Sequence, residues 1–243
     1  MPPCLYCKRE DRRFTSEEHV VPESLGNREI VLPKGVVCDK CNNEKLSTLD
    51  QTLVNFMPVS VRKTLTGIPS KTGALPKGTY GNASINMFAP GNVKFDSNSR
   101  EAFGVTPLGD GTNRVKIDMK LLSNRPMGAK YCRKLTRSLL KMLLGCIYID
   151  HGHDFALSER FDPLRDKILE RTKFKGYFAM MRKMEAPDSQ SVGLLYDFFT
   201  LDGIESAWAE FQFYGVSMCT DSEMLALKHR TQFPEDQLLV FTF

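Results

Sequence analysis

Two Cys-x-x-Cys pairs, Cys4/Cys7 and Cys38/Cys41, stand 30 residues apart at the head of the chain. Each pair can present two sulfurs from one tight turn, and four thiolates suit a tetrahedral zinc ion at about 2.3 Å. Closing that cage joins the ends of a short segment. A unit of under about 60 residues buries little apolar surface, so metal binding would supply much of its folding energy. The closed Cys₄ set leaves no coordination position for a reactant, which predicts a structural zinc. Lys8, Arg9 and Lys40 stand beside the cysteines and offset the charge of the zinc–thiolate group. Seven cysteines are an odd number for a disulfide framework, and Cys132, Cys146 and Cys219 read as buried thiols.

The 243 residues carry 42% hydrophobic and 26% charged side chains, the balance of an ordinary globular protein, with a formal charge of +4. That charge permits a nucleic-acid partner without requiring one. Met-Pro-Pro-Cys at the start has no apolar signal core. The longest apolar run, 139–149, is interrupted by Lys141 and is too short to span a bilayer. A cytoplasmic protein without a membrane partner is therefore expected.

The pattern along the chain predicts an α+β fold. Residues 1–66 read as the motif-bearing module, 67–81 as a Gly/Pro/Ser/Thr-rich linker, and 82–243 as a mixed α+β domain of open role. Within the module, 15–21 is β-compatible and a second short strand is expected at Val36-Val37. From Asp39, a plausible N-cap, Leu46, Leu49, Leu53 and Phe56 recur at helical spacing until Pro58. A further short helix is expected at 59–65. The strongest helix of the chain is expected at 129–149, another at 163–171, and strands at 84–88, 115–119, 176–182, 192–200, 207–216 and 238–243.

Between the cysteine pairs lies Glu17-Glu18-His19-Val20-Val21-Pro22, and Asn42 follows Cys41 directly. Asn42 heads the stripe of Leu46, Leu49 and Leu53, so its amide should face the strand carrying His19. A neutral histidine suits water activation near neutral pH. Glu18 and Asn42 offer the oxygen ligands that Mg²⁺ or Mn²⁺ prefers. Glu17 shares the His19 face of the strand, because neighbours on a regular strand point to opposite sides.

These residues resemble the HNH endonucleases, whose ββα-metal pattern runs from an acid–His pair and a proline to C-x-x-C-N-x-x-K. Glu18-His19 with Pro22, and Cys38-Asp39-Lys40-Cys41-Asn42-Asn43-Glu44-Lys45, match it position by position, in the subgroup with Glu for Asp. The resemblance implies that His19 activates water, Glu18 and Asn42 bind the catalytic cation, and Lys45 contacts phosphate. The middle asparagine that often precedes the second pair has no counterpart in Ile30-Val31-Leu32-Pro33, so another group must orient the imidazole.

Between Met119 and Ile149 there are seven Lys or Arg residues and no acids. Lys130, Arg133, Lys134, Arg137 and Lys141 share one helical face that could track a phosphate backbone, against the alternative of an ordinary solvated face. His151-Gly152-His153 reads as a turn after the helix. The sequence thus points to a metal-dependent endonuclease hydrolysing DNA, with RNA as the other candidate substrate, serving restriction or defence against foreign DNA. One module holds one site, so cutting both strands needs a homodimer or successive nicks. The competing reading is a non-catalytic, zinc-dependent nucleic-acid-binding or regulatory protein.

Overall fold

The computed structural model describes residues 2–69, 73–80, 83–89, 92–95, 103–107, 113–117, 128–175, 177–182, 192–223, 225 and 238–242. The chain forms two compact units, Met1–Phe56 with Ala129–Phe243, and Met57–Gly128. This differs from a division at a linker over 67–81: the cysteine-bearing segment joins the C-terminal half, and the intervening residues make the second unit.

In the first unit, β1 (Glu18–His19) and β2 (Val31–Leu32) pair antiparallel, with Glu18 opposite Leu32 and His19 opposite Val31. The second strand thus forms five residues earlier than expected. Asn27 sets this register from the connecting loop. Its Nδ2 donates to the carbonyls of Val21 (2.8 Å) and Ile30 (3.2 Å), while its Oδ1 accepts from the backbone N–H groups of Glu29 and Ile30. Val36 and Val37 are buried beside the first cysteine pair, where the Val36 carbonyl accepts from Leu5 N. A π-helical turn (Cys41–Leu46) runs into α1 (Ser47–Val54), completing a ββα order. Asp39 does not cap this helix. Its carboxylate reaches back to the backbone N–H and hydroxyl groups of Thr15 and Ser16, at 2.8 to 3.0 Å.

The second unit holds α2 (Met57–Thr66), the antiparallel strands β3 (Lys77–Tyr80), β4 (Ala83–Ala89) and β5 (Asn92–Phe95), and the hairpin of β6 (Phe103–Pro107) and β7 (Asn113–Ile117). Pro58 sits in the first turn of α2, where a missing N–H leaves no helical bond unmade, so it opens this helix.

The first unit resumes with α3 (Ala129–Leu157), interrupted at Gly152, whose φ of 82° and ψ of 177° are not helical. After it come α4 (Asp162–Leu169) and a five-stranded antiparallel sheet. Its strands are β8 (Tyr177–Arg182), β9 (Val192–Leu201), β10 (Ile204–Phe213), β11 (Val216–Asp221) and β12 (Leu238–Thr242), in the order β12-β8-β11-β10-β9. Two hairpins turn at Asp202-Gly203 and Tyr214-Gly215, each with positive φ at both central residues, the type I′ signature. No helix among the described residues is long and apolar enough to cross a membrane.

Helix α3 packs against α1 on one side and the sheet on the other, so every residue from Leu135 to Gly145 is buried. A helix covered on both sides has no solvent face for its polar residues, which must find partners inside. Ser138 Oγ donates to the Leu49 carbonyl at 2.8 Å, Tyr131 OH to the Thr52 carbonyl at 3.3 Å, and Tyr6 OH to the Lys141 carbonyl at 3.2 Å. Gly145 lets α3 approach the residue after β1: a Cβ there would lie 2.7 Å from Val20 Cγ2 and 2.9 Å from Cγ1. Alanine is the better helix former, but the stiff β-branched neighbour has little freedom to yield. Gly145→Ala is expected to lower stability by about 1–3 kcal/mol in denaturant titration. A more stable variant would mean that this close approach is dispensable.

Candidate metal centre and histidine site

The four sulfurs of Cys4, Cys7, Cys38 and Cys41 all lie within 4.8 Å of one another. A regular tetrahedron with arms of about 2.3 Å has edges of about 3.8 Å, and Cys7 Sγ stands 3.7 Å from Cys38 Sγ. Four thiolates this close would repel one another unless a cation lay between them. Hydrogen bonding with Cys4 and Cys41 draws Cys7 down to about 2, while bonding to Cys4 and Cys7 pushes Cys41 far above the ordinary thiol range. The backbone N–H of Cys38 already points at Cys4 Sγ (3.3 Å), a contact that favours the thiolate. Donor chemistry, spacing and burial fit a structural zinc.

The cage is gripped by the C-terminal half. Arg165, 1% exposed, donates to the Leu5 carbonyl at 2.8 Å and to the Ser158 carbonyl at 3.1 Å, also bonding the Ala156 carbonyl and Asp162 Oδ1. Lys8 pairs with the same Asp162 at 2.6 Å, and the His153 ring meets the Pro3 carbonyl at 3.1 Å. His153 therefore anchors the N-terminal segment.

Strand alternation separates the acid–His pair. Glu18 turns inward and is 2% exposed; the His19 side chain is 27% exposed, with Nε2 3.7 Å from Glu23 Oε2 in the 3₁₀ turn Glu23–Leu25. Asn42 Nδ2 donates to the Glu17 carbonyl (2.8 Å) and to Ser16 Oγ (3.1 Å), which places this amide where the chain runs into β1. Glu17 is exposed. Asn42 therefore lies beside the histidine strand as the helical stripe predicted, while Glu18 faces elsewhere.

Glu18 meets a fixed cation instead. Lys141 Nζ lies 2.5 Å from Glu18 Oε1 and 2.8 Å from Asp50 Oδ1, and donates to the backbone carbonyl of His19 at 2.7 Å. Lys141 is wholly buried; desolvation would strip its charge, but the Asp50 and Glu18 carboxylates outweigh it and hold its pKa above the ordinary ammonium value. Burial pushes the Glu18 carboxyl up to about 7 against the pull of Lys141, and the Asp50 charge adds to the rise.

The phosphate row expected on α3 is corrected by the same burial. Arg137, 4% exposed, donates to the Ile168 carbonyl and to Glu170 Oε2, both at 2.8 Å, and Lys141 is inside the clamp. The helical wheel gave α3 one solvent face, but in this stretch the fold leaves it none. Lys130 is exposed, Arg133 and Lys134 are half-buried, and Lys45 is exposed on the π-helical turn. Two groups went unread in the sequence. Asp50 had no motif to mark it. Asn27 binds the backbone two and three residues on, as asparagine commonly does in turns.

A ββα module with a four-cysteine cage and a histidine at the end of its first strand is HNH-type, and residues 4–57 match the family model of the HNH endonucleases. No curated protein and no solved structure shows significant similarity to the chain.

Two outcomes follow from this geometry. Cys4→Ser should lower bound zinc below one equivalent per chain and reduce the melting temperature; a full equivalent with unchanged melting would refute the cage. For Glu18, the folded protein retains a proton that the unfolded chain has lost between about pH 4.5 and 7. Its stabilising contribution is thus present below about 4.5 and disappears as pH rises through about 7. Glu18→Gln should flatten that fall in denaturation curves taken across the window.

Proposed function

We propose that this protein is a metal-dependent endonuclease that hydrolyses phosphodiester bonds in DNA. The reading is supported above all by one conjunction: an HNH-type match over residues 4–57 and a partly exposed imidazole at the end of β1. Hydrolysis needs an activated water, and His19 is the residue proposed to take its proton. Asn42 turns its amide nitrogen toward Glu17 O and Ser16 Oγ, leaving Oδ1 on the other side of the amide. With Glu17 or Glu23 on the His19 face, that oxygen could hold Mg²⁺ or Mn²⁺. Such a cation would neutralise charge at phosphorus and stabilise the departing oxygen. Glu18, the ligand the family resemblance implies, fits this role poorly while its carboxylate holds the Lys141 ammonium. Lys45, Lys130, Arg133 and Lys134 are the proposed phosphate contacts. Attack on foreign DNA, as in restriction or defence, is the setting such an activity would serve.

The pairing of Glu18 with Lys141 favours one alternative, a zinc module that binds nucleic acid without cutting it. Incubation of zinc-loaded protein with plasmid, single-stranded DNA and RNA, each with Mg²⁺ or Mn²⁺, separates the two. Cation-dependent nicking of plasmid is expected, and His19→Ala should slow it by about 10²- to 10⁴-fold with zinc content and melting unchanged. Tight binding with no cleavage of any substrate would leave the binding protein as the function.

A further inference from the structure

The strand that carries His19 is short. β1 has two residues and, among the described residues, one pairing strand. Reaction geometry is demanding: a displacement of about 1 Å can cost about 100-fold in rate. Beside the Asn27 and Asn42 bonds, α3 braces the strand end. Lys141 Nζ bonds the carbonyl of His19 itself, 122 positions away in the chain, and Gly145 seats Val20, the next residue. The same ammonium holds Glu18 on β1 and Asp50 on α1. Since α1 continues the π-helical turn that carries Asn42, one buried cation fixes the histidine strand to the asparagine helix.

We propose that Lys141 is a positioning residue for chemistry at His19. It touches no substrate; being wholly buried, it acts through the His19 backbone and the β1–α1 spacing. Without it the imidazole would spread over several orientations, slowing turnover while phosphate contacts elsewhere keep substrate affinity. The kinetic consequence rests on the nuclease reading, whereas the orientation of the imidazole does not.

Lys141→Met alone leaves the buried Glu18 and the half-buried Asp50 without their shared cation and is expected to destabilise the unit. The informative variant of the full chain is therefore Glu18→Gln, Asp50→Asn, Lys141→Met together, which removes all three charges. Zinc content and melting establish that it is folded, and Ser138→Ala, which loses the bond to the Leu49 carbonyl but leaves the clamp, is the control. Plasmid nicking gives kcat and KM; the ¹³C–¹H Cε1 cross-peak of His19, assigned by its loss in His19→Gln, reports the ring. The triple variant should lose about 100-fold in kcat with KM unchanged, and its cross-peak should shift or broaden. The control should keep both at wild-type values. A folded triple variant with wild-type kcat and an unmoved cross-peak overturns the proposal. Should the wild type cut nothing, the nuclease reading fails and the cross-peak alone decides the role of Lys141. Should the triple variant not hold zinc, Asp50→Asn, which loosens only the α1 side, carries the same readouts and the same expected direction.

Discussion

An ammonium group sealed from water survives as a cation only if oxygens surround it, and Lys141 finds three, on β1 and α1. Desolvating such ions costs several kcal/mol each, which close pairing and complete hydrogen bonding must offset. Removing one partner strands a buried charge, at a cost of about 3–5 kcal/mol. The arrangement therefore adds less to net stability than to uniqueness: β1, α1 and α3 fit in one register or lose heavily. Arg165 repeats the device at the other end of the module, binding carbonyls on both sides of the junction. Two buried cations thus hold the cysteine-bearing segment against the C-terminal half.

This explains how a ββα unit with two-residue strands can be ordered. Its own core is small, built from groups such as Leu5, Tyr6, Val20, Leu25 and Leu46, all fully buried. The zinc cage would tie its ends, and α3 closes its open side through Gly145 and Ser138. The outward side, with His19, Glu23, Glu17 and Lys45, is left to solvent in whole or part.

Much of this was legible in the residues. The cysteine spacing gave the cage, the helical stripe gave the approach of Asn42 to the histidine strand, and alternation put Glu18 and His19 on opposite faces of a regular strand. The long helix was plain, and so was its apolar stripe. Its burial was not, because a helical wheel records which residues share a face but not how many faces are covered. Arg137 and Lys141 look like solvent-facing cations until α1, β1 and α4 are folded around them. The joining of the cysteine-bearing segment to the C-terminal half was hidden for the same reason: Gly- and Pro-rich composition marks a loop, whereas unit membership depends on contacts between residues over a hundred positions apart. The second strand moved because four backbone bonds from Asn27 outweighed the β-propensity of Val36-Val37.

The discontinuity of the first unit has a consequence for biosynthesis. The four cage thiols are made before α3, but the ammonium that bonds β1 follows 122 residues after His19. At about 5–20 residues per second that is a lag of roughly 6–24 s. During that interval the nascent polypeptide can hold its metal cage yet lacks the brace for the histidine strand. Translation order then leaves the histidine strand without that bond until α3 has been made.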